Sequence, residues 1–568
     1  MYKLTFGTPE EFTPARFAPA PELQASGTTG FNTGAIRFRV TDGGCVLELP
    51  LDNGEEVFGF GLQLKGFNHK GTKKRLRVNA DPKMNTGDSH APVPFYVTTK
   101  GYGIYVDTAR YAEFYCGFSK IKDRDPVQNN AIASNAEELY QKNRLNETTL
   151  MVINIPAAKG VDIYIFEGRN ITDVVSQYNM FSGGGCDAPE WGLGVTYRCN
   201  LKFTGDMVKQ TADYFREKDI PCSVIGFEPG WQSSSYSCSY VWDEQRFPGH
   251  KELIRYLLDR GFHINLWEHA FINAVSPLYK PMRELCGDYE VWKGLVPDFA
   301  MKEASDIFAQ YHKENLVDLG ITGFKLDECD NSDFTGDWSF PNCAVFPSGL
   351  DGEQYHSLFG TLYMRTILKA LGDTPTLSSV RCAGALASSY PFVLYSDLYD
   401  LKDFIRGVVN AGFSGLLWHP EVREGHSRKD LIRRIQAVVF SVQCNINAWY
   451  CEKPPWLDWD CEDEVRELFR IRMSLIPRLK KAFAEYKKTG APPVRALVMD
   501  YTEDSETYQI DDEYIFCGDL IVAPLTADSD ERKVYLPQGG WVDFWTGETV
   551  KSGWFTVNTE KIPVYERV

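Results

Sequence analysis

The stretch GITGFKLDECDNSDF, from Gly320 to Phe334, places a short apolar run before four acidic residues, Asp327, Glu328, Asp330 and Asp333. The run GFKLD has the length and apolar character of a buried strand, and Asp327 ends it. Three interpretations of the acids compete: a calcium loop, a solvated turn, or a carboxylate held for chemistry. An EF-hand loop needs glycine at its sixth position, but counting from Asp327 that position is Ser332. The calcium interpretation therefore fails.

The pattern of an apolar run that ends in polar residues recurs through the middle of the chain. It is found at GLGVTYR (192–198), CSVIGFEPG (222–230), HINLWEHA (263–270), TPTLSSVR (374–381), FVLYSDLYD (392–400) and FSGLLWHPE (413–421). Helical stretches such as TGDMVKQTADYFREKD lie between several of these runs. Strand and helix in alternation indicate parallel β/α units. Seven or eight units in roughly 300 residues predict a (β/α)8 TIM barrel over residues 188–488.

Segments of β character flank the predicted barrel on both sides. Residues 1–187 contain short alternating runs such as AIRFRV and GYGIYVD, which predict an N-terminal antiparallel β-sandwich. Residues 489–568 return to runs such as DLIVAPL and KVYLP, which predict a small C-terminal β-sandwich. The sequence thus predicts an α/β protein of three domains.

Composition argues against several classes of partner. The 568 residues carry a formal net charge of −17, whereas binding to nucleic acid needs a basic face. No stretch approaches the ~20 apolar residues of a membrane span, and the N-terminal MYKLTFGTPEEF lacks the apolar core of a signal peptide. The 14 cysteines have no paired metal-ligand spacing. We therefore predict a cytoplasmic protein with free thiols that binds neither nucleic acid nor membranes.

The ends of the predicted strands carry residues typical of a carbohydrate site. Aromatic faces stack on sugar rings, and carboxylates bind hydroxyls or transfer protons. Lys325 and Asp327 are two residues apart and so point to the same side of their strand; we expect the lysine to hold the carboxylate ionised. A second carboxylate comes from Asp397 or Asp400. Other strand ends supply Glu228, Trp231, Trp267, Glu268 and Arg381.

Taken in order, these motifs resemble glycoside hydrolase family 31, whose members are retaining α-glycosidases. The segments IPCSVIGFEPGW, GFKLDECD, GFSG and FCGDLIVAPL are similar to family motifs spread over most of the chain. The resemblance implies that Asp327 is the nucleophile. It implies that Asp397 is the general acid and base, because the family has an arginine sixteen residues earlier and Arg381 stands there. Exo-acting double displacement through a glycosyl-enzyme follows, with no metal or cofactor.

Departures from the family pattern bear on the choice of sugar. The family's Gly-Asp-Asn is Ser396-Asp397-Leu398 here, Glu228 replaces an aspartate that binds the 4-hydroxyl, and Asn447 stands where a substrate-binding histidine is usual. Lys-x-Asp is also the nucleophile motif of related α-galactosidases. These features favour an α-galactoside, with α-xyloside or α-glucoside and α-N-acetylgalactosaminide as alternatives. A catalytically inactive carbohydrate-binding protein is the rival from another class.

Nine residues are predicted to bind a small carbohydrate beside the two catalytic aspartates. They are Glu228, Trp231, Trp267, Glu268, Lys325, Arg381, Trp418, His419 and Asn447. By resemblance, the N-terminal segment NADPKMNTGDSHAPVPF is expected to reach over the barrel mouth. Its Asp88 and His90 either touch the substrate or belong to a purely structural loop.

Overall fold

The structure is a computed structural model that describes residues 1–80, 82–118, 148–332 and 338–568. Asp333, the last acid of the opening stretch, lies outside the described residues. The chain forms an N-terminal β-sandwich, a central (β/α)8 barrel and a C-terminal β domain, so the predicted fold class is confirmed. Within the described ranges, no helix combines the length and the apolar character needed to cross a membrane.

Two five-stranded antiparallel sheets form the N-terminal domain. The strand order of the first sheet is Tyr2–Thr8, Lys159–Glu167, Tyr102–Asp107, Pro92–Thr98, Val57–Gly61. The strand order of the second is Arg37–Thr41, Gly44–Asp52, Thr148–Pro156, Glu113–Phe118, Lys73–Arg75. Apolar side chains such as Leu47 and Ile153 fill the space between the sheets, because alternate residues of a strand point to the same face.

The outer face of the first sheet packs against the barrel. Phe58 of this sheet stacks on Phe413 of the barrel, with ring centroids 5.3 Å apart. The helix Ile171–Phe181 joins the two domains, and its Tyr178 stacks on Phe95 of the sheet at 4.1 Å. These rings belong to the same apolar core as the barrel side chains. The packing fixes the N-terminal domain beside the barrel and brings its loops to the barrel mouth.

Eight parallel segments close the barrel. Seven of them are strands, and in chain order these are Val195–Arg198, Val224–Phe227, His263–His269, Gly323–Asp327, Ser378–Val380, Phe392–Leu394 and Cys444–Asn447. The remaining segment, residues 418–422, is seventh along the chain and joins the strands on either side through the parallel bridges Leu394–Trp418 and Val422–Ile446. Parallel strands covered by helices are buried on both faces, which explains their continuous apolar runs.

Helices surround the barrel. The long ones are Gly205–Glu217, His250–Asp259, Lys302–Asn315, Gly352–Leu371, Leu401–Ala411, Arg428–Val439 and Glu462–Thr489. Asp351 and Gln354 form a capping box at the start of one helix, and Asp400 caps another by accepting from the Asp403 amide at 2.9 Å. Such caps pair amides that the first helical turn leaves without partners.

Two antiparallel sheets build the C-terminal domain around a separate apolar core. Six strands form one sheet in the order Val494–Ala496, Tyr514–Phe516, Leu520–Val522, Val564–Arg567, Trp541–Asp543, Thr549–Val550. The other sheet pairs Glu531–Leu536 with Gly553–Asn558. Smaller elements elsewhere are the hairpin Cys286–Val291 and Gly294–Pro297 and the short helices Pro14–Phe17, Tyr279–Met282 and Leu497–Asp500.

Candidate active site

Asp327 ends the fourth barrel strand at the mouth, the end where barrel enzymes carry their catalytic groups. Its Oδ2 accepts from the indole N–H of Trp267 at 2.6 Å, and its Oδ1 accepts from the Glu328 amide at 3.0 Å. Arg381 Nη1 lies 3.7 Å from Oδ1. Burial raises the pKa of Asp327, and the charges of Arg381 and Lys325 oppose this rise. The carboxylate is thus buried, held by two N–H donors and faced by a guanidinium.

Arg381 joins three carboxylates. Its Nε and Nη2 atoms each lie 3.0 Å from Asp330 Oδ2, and its Nη1 atom bonds Asp397 Oδ2 as well as facing Asp327. Burial works against ionisation of Asp330, but the charge of Arg381 and the bond from His90 lower its pKa overall. One guanidinium nitrogen therefore contacts both aspartates that the sequence predicts as catalytic.

Asp397 follows the sixth barrel strand and is clamped by two arginines. Arg381 bonds one carboxylate oxygen, and Arg423 Nη2 donates to the other at 2.7 Å. Partial burial works in the opposite direction, yet these two charges lower the pKa of Asp397. Its side chain is 56% exposed, so water reaches the carboxylate. Asp400, the other candidate, is occupied as the cap of the helix Leu401–Ala411.

Lys325 and Glu228 pair with each other inside the barrel. Lys325 Nζ lies 3.1 Å from Glu228 Oε2, and Arg198 Nε bonds the other oxygen. Although Glu228 is buried, the charges of Lys325 and Arg198 lower its pKa. The sequence predicts that Lys325 holds Asp327 ionised. Arg381 is the closer cation, with Nη1 3.7 Å from Asp327 Oδ1, and Lys325 favours the ionised carboxylate through its charge at longer range.

Adjacent residues of the third barrel strand face opposite ways. Trp267 points into the barrel, where it donates to Asp327. Glu268 points outward, where it accepts from Tyr363 Oη at 2.6 Å and lies 3.1 Å from His312 Nε2. Both of these partners belong to the surrounding helices. Glu268 therefore does not reach the site, which corrects its predicted contact with the sugar.

Two tryptophans that the sequence predicts as sugar contacts are buried in packing contacts. Trp231 donates its indole N–H to the carbonyl of Trp267 at 2.7 Å, and the ring is buried. Trp418 points outward, where its N–H donates to the carbonyl of Phe404 at 3.0 Å. Stacking on a sugar needs an accessible ring face. Trp231 instead packs against the backbone of the third strand, and Trp418 packs against the barrel helix Leu401–Ala411.

His419 and Asn447 bring unpaired polar atoms into the barrel interior. Because Trp418 faces outward, its neighbour His419 faces inward. Burial, together with the charges of Arg472 and Lys325, lowers the pKa of His419 to about 3. Among the described residues, neither ring nitrogen of His419 has a hydrogen-bond partner, and neither does Asn447 Oδ1. Buried polar atoms are normally paired, so these atoms are suited to meet water or a hydroxyl group.

The N-terminal domain places one histidine at the barrel mouth. His90 is buried, with Nδ1 2.8 Å from Asp330 Oδ2 and Nε2 2.7 Å from Ser396 Oγ. Asp88 remains within its own domain, where Arg77 Nη2 donates to it at 2.6 Å. The loop thus reaches the site through buried contacts between protein groups.

Arg423 and Tyr236 belong to the site but are not among the residues predicted from the sequence. Arg423 lies two residues beyond the run FSGLLWHPE and joins Asp397 to Glu421, whose Oε1 is 2.7 Å from the arginine Nε. Tyr236 is 52% exposed, and its ring centroid lies 5.6 Å from that of Trp267. A charged residue just past an apolar run is a signal that could have found Arg423. The sequence around Tyr236 has no hydrophobic periodicity, so no pattern of this kind could have identified it.

The arrangement combines a buried carboxylate with a water-accessible one at the same guanidinium. A buried carboxylate at the end of a barrel strand can attack an electrophilic carbon, and an accessible one can exchange protons with water. Among the described residues, no group of three or more His, Cys, Asp or Glu side chains is arranged to hold a metal ion.

Three family models match successive parts of the chain. The glycosyl hydrolase 31 N-terminal galactose mutarotase-like domain matches residues 29–114. The glycosyl hydrolases family 31 TIM-barrel domain matches residues 187–482, and the family 31 C-terminal domain matches residues 490–568. The barrel model alone covers more than half of the chain. This chain therefore belongs to glycosyl hydrolase family 31, and the predicted family is confirmed.

Two curated relatives show how far the similarity extends. The chain is 23% identical to an α-xylosidase of Emericella nidulans, over 88% of its own length and 63% of that protein. It is 27% identical to α-glucosidase 2 of Bacillus thermoamyloliquefaciens, over 71% of its own length and 56% of that protein. The chain thus spans less than two thirds of the length of these curated relatives.

Solved structures share the fold at low identity. A Flavobacterium johnsoniae family 31 dextranase in complex with glucose has a TM-score of 0.80 at 20% identity and covers 93% of this chain and 67% of its own. A family 31 α-xylosidase from a soil metagenome, complexed with xylose, has a TM-score of 0.75 at 21% identity and covers 94% of this chain and 81% of its own. At these identities the likeness establishes a common architecture.

Proposed function

We propose that this chain is a retaining exo-acting α-glycoside hydrolase that acts on α-xylosides or α-glucosides. Family membership supports a glycoside hydrolase. One observation carries the proposal: Arg381 Nη1 contacts both Asp327 and Asp397. Two carboxylates that meet at one nitrogen lie close together, as in a retaining pair, whose carboxyl groups are ~5–5.5 Å apart.

In the first step, Asp327 attacks the anomeric carbon while Asp397 gives a proton to the leaving oxygen. The bond from the sugar to Asp327 forms as the glycosidic bond breaks. Attack requires ionised Asp327; burial opposes ionisation, whereas the charges of Arg381 and Lys325 favour it. The Trp267 N–H also favours the ionised form, because it donates to the carboxylate.

In the second step, Asp397 takes a proton from water while the water oxygen forms a bond to the anomeric carbon. The bond between the sugar and Asp327 breaks, which restores the Asp327 carboxylate. Two displacements on the same carbon leave the anomeric configuration unchanged. The two arginines keep Asp397 ionised in the resting site, because they lower its pKa. Asp397 must therefore gain a proton before the first step, and its exposure to water provides the route.

The choice of sugar follows the named relatives, an α-xylosidase and an α-glucosidase. The predicted α-galactoside depends on Lys325 and Glu228 meeting ring hydroxyls. Since these two side chains pair with each other and with Arg198, they offer little independent means to select the C4 epimer. The pair of Asp327 and Asp397 favours an enzyme over an inactive carbohydrate-binding protein.

A panel of p-nitrophenyl α-glycosides tests the proposal. We expect the highest kcat/KM for the xyloside or the glucoside, lower values for the galactoside and the N-acetylgalactosaminide, and α-sugar as the first product in NMR. An Asp327→Asn variant controls for contaminating activity. β-Sugar as the first product would refute the retaining mechanism. A galactoside preference would restore the prediction from sequence, and sugar binding without cleavage would favour the inactive rival.

A further inference from the structure

We propose that His90 is a positioning residue that fixes the loop presenting Asp397, and so couples the N-terminal domain to proton transfer in the barrel. The inference rests on the proposed function, in which Asp397 is the acid and base. His90 is carried by the N-terminal β-sandwich, and both of its ring nitrogens contact groups of the barrel, Asp330 and Ser396. It acts through these two groups rather than on the substrate.

The hydrogen bonds of His90 form one directed chain. Asp330 is an acceptor, because Arg381 and His90 lower its pKa in spite of burial, so His90 Nδ1 donates to it across 2.8 Å. Nε2 can then accept from Ser396 Oγ across 2.7 Å. Ser396 Oγ accepts in turn from the Leu398 amide at 3.0 Å. Both nitrogens of the ring and the serine hydroxyl are thus paired in a single consistent direction.

At its serine end, this series of hydrogen bonds fixes the backbone around Asp397. Ser396 and Leu398 are its two neighbours, and the bond between them closes a turn with Asp397 at its apex. Arg423 Nη2 adds a bond to the Ser396 carbonyl at 3.0 Å. Residues 395–400 connect a strand to a helix. In a strand, backbone hydrogen bonds to a neighbouring strand would define the backbone shape. In this loop, side-chain hydrogen bonds do so instead.

At its aspartate end, the same series of hydrogen bonds fixes the orientation of the Asp397 side chain. Asp330 accepts from Arg381 Nε and Nη2 at 3.0 Å, which orients the guanidinium so that its Nη1 bonds Asp397. Without the His90 bond, Asp330 would be held less firmly, and Asp330 is the residue that orients this guanidinium. His90 therefore supports both the backbone and the carboxylate of the proposed acid and base.

The link depends on the hydroxyl group of Ser396. A glycine at this position would have no hydroxyl through which His90 could act. Without that hydroxyl, the His90 Nε2 atom would have no partner from residue 396. We therefore expect the loop here to depend on the N-terminal domain through His90.

Two variants, His90→Gln and Ser396→Ala, test the coupling with two leaving groups on the preferred sugar. A phenol leaves slowly unless it is protonated, whereas 2,4-dinitrophenol leaves without help from an acid. If His90 positions the acid, kcat/KM should fall about 10- to 100-fold for the phenyl glycoside, part of the contribution of a general acid. The dinitrophenyl glycoside should lose less than about threefold, because its first step bypasses the acid. The losses of the two single variants should not add up in the double variant, because both variants remove the bond between His90 and Ser396.

His69→Gln is the matched control, since His69 is also buried in the N-terminal domain and packs on Phe60 at 5.4 Å. It should lower Tm without changing the ratio between the two leaving groups. If His90→Gln reduces both substrates equally, His90 has only a structural role and the inference falls. Losses that simply add in the double variant would overturn it as well.

Hydrogen exchange provides a readout that does not depend on activity. The peptide covering residues 395–400 should exchange faster in His90→Gln and in Ser396→Ala than in the wild-type protein or in His69→Gln, because the Leu398 amide loses a fixed acceptor. Unchanged exchange would overturn the inference. If the wild-type chain cleaves no glycoside, the proposed function falls on its own, and the exchange measurement still decides whether His90 fixes the loop.

Discussion

Asp327 and Asp397 are the same chemical group in opposite surroundings. Asp327 is buried, receives two N–H bonds and has its pKa raised by burial. Asp397 is more than half exposed and has its pKa lowered by Arg381 and Arg423. A nucleophile must be ionised and a first-step acid must be protonated. The resting site biases each group away from the form that the first step needs.

The difference indicates which half of the reaction the protein groups favour by themselves. In the proposed mechanism, Asp327 is esterified and carries no charge once the glycosyl-enzyme has formed, and Asp397 must be ionised to act as a base. Burial favours the uncharged, esterified form of Asp327, and the two arginines favour the ionised form of Asp397. The protein groups are therefore arranged for release of the sugar, and the substrate must supply the interactions that start the reaction.

The largest expected effect comes from removing the buried member of the pair. Asp327→Asn should lower kcat/KM by about 10⁴-fold or more, a loss typical of removing a catalytic nucleophile. No glycosyl-enzyme forms without the carboxylate, so added azide should not restore turnover. Steady-state kinetics with and without azide measure this. Substantial azide rescue in Asp327→Asn would reverse the assigned roles of the two aspartates.

The exposed member should give a smaller and substrate-dependent loss. Asp397→Asn should lower kcat/KM by roughly 10²- to 10⁴-fold for poor leaving groups, the usual contribution of general acid and base catalysis. Azide needs no base to attack the intermediate, so it should rescue turnover of activated substrates. Asp400→Asn, which can still cap its helix, is the control and should retain activity. If Asp400→Asn shows the loss and the rescue instead, the acid is Asp400.

The arginine clamp can be weakened without removing either aspartate. Arg423→Gln takes one cation from Asp397 and should raise its pKa. The proposed first step needs protonated Asp397, so kcat/KM falls as the pH rises through this pKa. The variant should therefore keep its kcat/KM to a higher pH than the wild-type protein. Arg406→Gln, which removes an arginine paired with Asp511 at 2.6 Å, should leave the profile unchanged. An unshifted profile in Arg423→Gln would show that the clamp does not set this pKa.

The smallest effect on activity is expected at Glu268, a buried carboxylate on the outer face of its strand. Glu268→Gln weakens its contacts with Tyr363 and His312, so the free energy of unfolding should fall by about 1–3 kcal/mol, with kcat/KM within twofold of wild type. Trp267→Phe, one residue away on the inner face, should affect activity more than stability. It removes a bond to Asp327 and should lower kcat/KM about tenfold. Denaturant unfolding and steady-state kinetics on both variants test these expectations. A large activity loss in Glu268→Gln would contradict its outward placement.

Much of the architecture could be predicted from the sequence because strand ends are marked by chemistry. Parallel strands all end at one face of the barrel, so an acid after an apolar run falls at that mouth. Asp327 and Asp397 are found in this way, and the arginine spacing that the family resemblance implies points to Arg381 and favours Asp397 over Asp400. The structure brings the selected three side chains together.

The direction of individual side chains could not be read in the same way. Strands buried on both faces lack the alternation that separates inner from outer positions, so the sequence assigns Glu268 and Trp418 to the sugar although they face the helices. His90 and Ser396 are 306 positions apart, and no local pattern links them. The pairing of Lys325 with Glu228 likewise depends on how strands are placed side by side, which composition and spacing do not encode.

The stacking of Phe58 on Phe413 and of Phe95 on Tyr178 has a practical consequence for fragments of this protein. A fragment that begins near residue 188 would keep every strand of the barrel, yet it would expose the apolar surface that the N-terminal sheet covers. Exposed apolar patches of this kind drive aggregation. The N-terminal sandwich and the barrel therefore share one apolar core, and a soluble fragment that retains the barrel should include the sandwich.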